Sequence, residues 1–250
     1  MCGRYVVATH PGQLALDFGA VAVLNLEDYA ADYNVAPTKP VPVVLTLQGS
    51  RVLLEMGWGM VPSWAKDPAI GSRMINARVE TAAEKPTFRR ALVRRRCLLP
   101  ADGYYEWRKP AAGSGGRKQP YYIHRADGGL LAFAGLYDYW LGADGSELWT
   151  AAILTGAATP ELAGIHDRMP LTVGPAARDA WLDPDLQDSE QVTGLLDRAP
   201  EWVARPVSSA VNAVRNNGPE LIAECAEQIP QVPPASVVTP AGMDEPDTLF

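Results

Sequence analysis

Apolar and polar positions alternate over several short stretches of this chain, and a two-residue period predicts half-buried strands. The early segment GRYVVAT alternates weakly and is rich in β-formers, while VPVVLTLQ and RVLLEMGW flank the turn-prone Gly49-Ser50 and predict a hairpin. The next stretch, ETAAEKPTFRRALVRR, holds helix formers with Pro86 where a new helix could begin, which predicts two short helices joined there. Five aromatic and β-branched runs follow: RCLLPA, GYYEWRK, PYYIHR, LLAFAGLYDYW and ELWTAAILTG, separated by Gly-, Pro- or Asp-containing turns. The AAGSGGRK between two of them is a mobile loop by composition. Short helices are expected at PELAGI, AARDAWL and GPELIAECAEQ, and a late strand at EWVARPVS. Beyond Gln228 the residues are Pro-rich and acidic, with no usable apolar face. There is no internal repeat. The expectation is an α+β fold: a single domain over residues 1–228 with a mainly antiparallel, barrel-like β-sheet and short peripheral helices, then a disordered tail over 229–250.

Composition narrows the function classes. With 250 residues, 47% hydrophobic and 20% charged, the chain is an ordinary globular one, and no apolar run is long enough to span a bilayer. MCGRYVVATH has neither a basic start nor an apolar stretch ending in a cleavage site, so the expected location is the cytoplasm. Three cysteines without CxxC spacing and three scattered histidines fit neither a disulfide scaffold nor a zinc site. No metal and no cofactor are expected. A net charge of -7 argues against nucleic acid, but residues 1–110 carry 14 Lys+Arg against 10 Asp+Glu. Basic charge is thus concentrated in the N-terminal half, where Arg73, Arg78, Arg89, Arg90, Arg94, Arg95 and Arg96 form a local arginine supply. For Arg89 to Arg96 a solvated, ion-paired helix face explains the run equally well.

Cys2 is the most informative single residue, because a small side chain after Met1 permits removal of the methionine and leaves a free 1,2-aminothiol. An α-amine, with a pKa of about 7.7–8.0, is roughly a tenth neutral at pH 7, against about one part in 2,500 for lysine. It is therefore the better nucleophile toward an aldehyde. Condensation gives a Schiff base, and the neighbouring thiol can close a thiazolidine ring on the same carbon. Other candidates have bland readings beside the chemical one. Asn76 fits a turn or cap, and Arg78 a surface ion pair. Glu106, between Tyr105 and Trp107, either points outward or sits in an apolar pocket where it can transfer protons. His166, beside Asp167 and Arg168, is balanced between capping and proton shuttling. Cys97 and Cys225 read as buried bystanders.

The chain resembles the SOS response-associated peptidase (SRAP) family, whose members shield abasic sites in single-stranded DNA. The resemblance is carried by MCGRY, YNVAPT, WGMVPSWA, INARVETAAEKPTFR, RRCLLPADGYYEW and IHDRMP, in that order from residue 1 to about 215. It implies a thiazolidine crosslink at Cys2 after loss of Met1, with Asn76 holding the terminal residue. Glu106 is implied to assist opening of the deoxyribose, and His166 to serve Schiff-base chemistry and reversal. Arg4, Trp58, Trp64 and Arg78 are implied to face DNA, arginine neutralising phosphate and indole stacking on unpaired bases. The implied partner is single-stranded DNA with abasic sites, bound by a monomer that is nucleoid-associated when engaged. A rival class is a cysteine peptidase or N-terminal-nucleophile hydrolase using Cys2 and His166, with self-cleavage of Met1. A plain DNA-binding module is the third reading.

Overall fold

The computed structural model describes residues 2–23, 29–110, 113, 115–197 and 201–226. The expected tail over 229–250 lies outside the described residues. In chain order the strands are β1 (Tyr5–Val7), β2 (Val21–Ala22), β3 (Asp32–Val35), β4 (Pro40–Leu47), β5 (Ser50–Trp58), β6 (Asn76–Arg78), β7 (Arg96–Ala101) and β8 (Gly103–Arg108). They continue as β9 (Gln119–Arg125), β10 (Leu131–Leu141), β11 (Glu147–Ala157), β12 (Arg168–Pro170), β13 (Thr172–Val173), β14 (Leu196–Asp197) and β15 (Trp202–Pro206). The helices are short: α1 (Pro11–Phe18), α2 (Val79–Ala82), α3 (Arg89–Arg94), α4 (Pro160–Ala163), α5 (Arg178–Leu182) and α6 (Ser189–Gly194).

Five strands close on themselves. β5 pairs β4, β4 pairs β7, β7 pairs β10 and β10 pairs β11, all antiparallel, and a parallel contact of Thr150 with Gly57 and Ala151 with Trp58 joins β11 back to β5. The expected α+β fold with a mainly antiparallel, barrel-like sheet is what the chain forms. Closure removes the free edges of these strands, and the apolar faces bury Val43, Leu45, Leu53, Leu98, Phe133 and Ile153 completely. The predicted hairpin is present one residue earlier than expected. Its turn is Gln48-Gly49 with φ of 51° and 79°, so Leu47 pairs Ser50, and two positive φ angles match the twist of the flanking strands.

A second antiparallel sheet runs in the order β15-β9-β8-β1-β3. Asp102 marks the passage from β7 in the barrel to β8 in this sheet, and its carboxylate accepts the Ala8 and Thr9 amides at 2.6 and 3.1 Å. The N-terminal strand is thereby fixed beside β8. Gly103 is required there, since a Cβ would fall 2.5 Å from the Tyr122 ring.

Some expectations need correcting. The second of the two helices around Pro86 starts at Arg89, three residues after the proline. The helix expected at GPELIAECAEQ is a single 3-10 turn at Pro219–Ile222, after which Glu224 bridges Val207 and the Cys225 amide donates to the Pro206 carbonyl at 2.9 Å. Pairing with the end of β15 satisfies this backbone better than a short helix would. The helices α1 and α6 were not expected. The arginine run divides: Arg96 donates to the carbonyls of Trp181, Leu92 and Asp183, and Arg95 pairs with Asp138. Arg89, Arg90 and Arg94 remain exposed.

Candidate functional site

The long strand β11 organises one side of the site. Its C-terminal half is flanked by β6, with Ile153 beside Asn76 and Thr155 beside Arg78, and by β12, with Thr155 beside Pro170. Asn76 and Arg78 thus sit across one strand from the residues that follow His166. A side-chain clamp reinforces this: Arg168 reaches both oxygens of Glu80 at 3.2 and 2.9 Å and donates to the Thr155 carbonyl at 2.7 Å. The other side of the site comes from β1 and β8. Tyr5 pairs Tyr104 and the Tyr105 amide donates to the Arg4 carbonyl at 2.9 Å, a register that carries the leading residues alongside Glu106 and Trp107.

Cys2 is the centre of this arrangement. It has no exposed surface, Asn76 Nδ2 donates to its carbonyl at 2.7 Å, and its Sγ lies 3.9 Å from the Arg4 carbonyl. Burial, and then the negative charge of Glu106, push the thiol far above its ordinary pKa. At neutral pH the sulfur is a protonated thiol. Asn76 Oδ1 is itself buried and accepts no hydrogen bond, leaving an acceptor inside the site. Glu106 is only 3% exposed, so of its two readings the inward one is what the fold gives.

His166 lies after the short helix α4. Its Nδ1 accepts the Arg168 amide at 3.0 Å, and Asp167 Oδ1 is 2.9 Å from the same nitrogen. Accepting the amide leaves a neutral ring's proton on Nε2, whereas donating to Asp167 puts it on Nδ1. The side chain is partly exposed and lines a cavity of about 410 Å³ with Trp107, Lys109 and Asp167. Trp107 belongs to β8, so that strand forms one wall of the cavity that His166 lines. Trp107 and Lys109 were missed from sequence; the adjacency of Trp107 to Glu106 was the available signal.

The residues expected to face DNA divide. Arg78 and Trp64 are exposed. Trp58 is not: it has no exposed surface, its Nε1 donates to the Ile75 carbonyl at 3.0 Å, and its ring meets Tyr5 edge-on at 4.9 Å. It is a core side chain and offers no face to a base, which corrects the expectation for that residue. Arg4 is half-buried, and its Nη1 donates to Asn34 Oδ1 at 2.7 Å and to the Val211 carbonyl at 2.9 Å. Asn34, fully buried, donates in turn to the carbonyls of Ala213 and Asn216. Arg4 therefore anchors the N-terminal segment to the loop after β15. Among the described residues no group of three or more His, Cys, Asp and Glu is placed to hold a metal ion. No helix among them is long and apolar enough to cross a membrane.

Known proteins resemble this chain in sequence and in fold. Residues 1–214 match the family model described as SOS response associated peptidase. The chain is similar to the abasic site processing protein YoqW of Bacillus subtilis, 38% identical over 224 residues that cover 89% of this chain and 99% of that protein. It is similar also to the abasic site processing protein HMCES of Gallus gallus, 33% identical over 235 residues, covering 81% of this chain and 69% of that one. Among solved structures, a protein from Bacteroides thetaiotaomicron superposes with a TM-score of 0.79 at 24% identity over 90% of this chain and 100% of its own, a likeness of fold. A phage-related protein from Bordetella bronchiseptica gives 0.65 at 28% identity, covering 82% of this chain and 94% of its own.

Proposed function

The chain belongs to the SOS response associated peptidase family, and from that premise we propose that it processes abasic sites in single-stranded DNA by bonding Cys2 to them covalently. The observation that carries this reading is the set of groups around Cys2: the Asn76 amide holds its carbonyl, and the Glu106 charge acts on its thiol. In the full chain the Cys2 nitrogen is an amide, so loss of Met1 is the first requirement. The freed amine would then have Asn76 Oδ1 as an acceptor close by.

The chemistry runs in two bond-forming steps. The Glu106 carboxylate takes the proton of the anomeric hydroxyl and returns it to the ring oxygen as that carbon–oxygen bond breaks, so the deoxyribose opens and exposes its aldehyde. The Cys2 amine adds to that carbon and one water leaves, giving the imine. The thiol then adds across the carbon–nitrogen double bond: sulfur bonds to carbon, its proton ends on nitrogen, and the five-membered ring is complete. A protonated thiol serves this order of events, because the amine reacts first and the sulfur acts only on the imine already formed. Reversal requires the carbon–sulfur bond to break first, and the His166 imidazole, which can both give and take a proton, is suited to the proton transfers of imine hydrolysis. Arg78 and Trp64 supply strand contacts.

Intact-mass analysis of the protein mixed with an abasic oligonucleotide tests the proposal. One covalent adduct is expected on the Met1-free protein, with none on chains retaining Met1 and none of full yield on Cys2→Ala. A full-yield adduct on Cys2→Ala would sink the reading. Turnover of peptides in the absence of DNA would instead support the peptidase, which needs a thiolate that this buried, carboxylate-flanked sulfur disfavours.

A further inference from the structure

Trp64 is 59% exposed, yet the backbone on both sides of it is tied down by the barrel. The Ser63 amide donates to Asp138 Oδ2 at 2.9 Å, and the indole Nε1 of Trp140 donates to the Ala65 carbonyl at 2.7 Å. Both partners come from β10. Asp138 is itself buried; its other oxygen accepts the Tyr139 amide at 2.9 Å and pairs with Arg95. Upstream, the Val61 amide donates to Thr150 Oγ1 at 2.8 Å. Gly59 and Gly71 close the loop at its base, where a Cβ on either would fall 2.5 or 2.6 Å from the other's carbonyl oxygen. A connecting loop with no task needs none of these ties, and holding a large indole in water forgoes its burial energy.

The space beside the indole has the chemistry of a nucleotide site. A cavity of about 370 Å³ is lined by Trp64, Ile70, Lys66 and Arg73, with both cations exposed. Asp67 also lines it, but its carboxylate caps the following 3-10 turn by accepting the Ala69 amide at 2.9 Å. We infer that Asp138 and Trp140 are positioning residues that hold Trp64 as a rigid platform for an unpaired base, with Lys66 and Arg73 placed for the phosphates of the same single strand. The advantage is entropic: an aromatic ring fixed before binding loses little freedom on stacking. This inference rests on the proposed use of single-stranded DNA, and it assigns a task to Arg95, Asp138 and Trp140 that the crosslinking chemistry does not use.

The test is a titration with an undamaged single-stranded oligonucleotide, which has no aldehyde and so excludes any contribution from Cys2. Trp64→Ala should weaken binding by roughly 5- to 100-fold, the range for loss of one stacked base. Trp140→Phe and Asp138→Asn should each weaken binding in the native background and add nothing further in the Trp64→Ala background. Their salt dependence should stay as in the native protein, whereas Lys66→Ala or Arg73→Ala should lower the logarithmic salt slope by about 0.7 for each phosphate no longer neutralised. The two positioning variants break opposite ends of the tie, and Trp64→Ala alters an exposed side chain, so a failure to fold in one leaves the others to decide. Native affinity in Trp64→Ala, or losses in Trp140→Phe and Asp138→Asn that persist at full size without Trp64, would overturn the inference. A native protein that binds the undamaged strand but forms no adduct with an abasic one would sink the crosslinking proposal alone.

Discussion

Glu106 sits between two aromatic residues and is buried, close enough to Cys2 for its charge to add to burial in keeping the proton on the sulfur. A carboxylate in that place can take a proton from the sugar's anomeric hydroxyl and return it to the ring oxygen. Glu106→Gln keeps the shape and the hydrogen-bonding capacity but removes the titratable proton. It should slow adduct formation by roughly 10²–10⁴ in single-turnover assays, while affinity for undamaged single strands stays near that of the native protein. A rate within about threefold of native would mean the carboxylate has another task. At this scale the sequence singled out Cys2, Asn76 and Glu106 as candidates, and the fold brings the three together. Orientation was not legible. Trp58 closes β5 on its buried face, and Arg4 turns to Asn34, because sequence shows that a residue is aromatic or cationic but not which way it points. Arg95 and Arg96 illustrate the same limit, since two neighbouring like charges along the chain become a partly buried ion pair and a set of carbonyl hydrogen bonds in the fold.

At the level of elements, β11 is the spine on which the site depends, and the Arg168–Glu80 clamp ties its two neighbours together. The clamp's ends differ. Glu80 is half-exposed, so Glu80→Ala should cost under about 1 kcal/mol, the range of surface ion pairs. Arg168 is mostly buried and also satisfies the Thr155 carbonyl, so Arg168→Ala should cost about 2–3 kcal/mol in urea denaturation. Equal costs would mean that the ion pair alone accounts for the clamp. The hairpin of β4 and β5 and the five later strands were legible from alternation and turn residues. The helix α1 also had its signals, Pro11 at its first turn and Gly19 in the left-handed conformation at its end, though an eight-residue helix gives too few apolar repeats to stand out by period. The 3-10 turn at Pro219–Ile222 was beyond reach, since its fate is decided by a strand partner far away in sequence.

For the whole molecule, closure of the barrel depends on the parallel contact between Thr150 and Gly57, a pairing that no local pattern announces. That closure sets the strand with Asn76 and the segment after His166 on either side of β11, while Asn76 meets Cys2, carried by the second sheet's β1 side, through the hydrogen bond to its carbonyl. A chain of net charge -7 can still hold DNA, because Arg73, Arg78, Arg89, Arg90 and Arg94 remain exposed in its N-terminal half. The central claim is a ring that uses nitrogen and sulfur of one residue, and peptide mapping of the crosslinked protein reads it directly. After nuclease and trypsin digestion, tandem mass spectrometry should find the sugar remnant on residues 2–4, without Met1, and with the sulfur resistant to iodoacetamide. A remnant on a lysine, or on Cys2 with a thiol that alkylates freely, would contradict it.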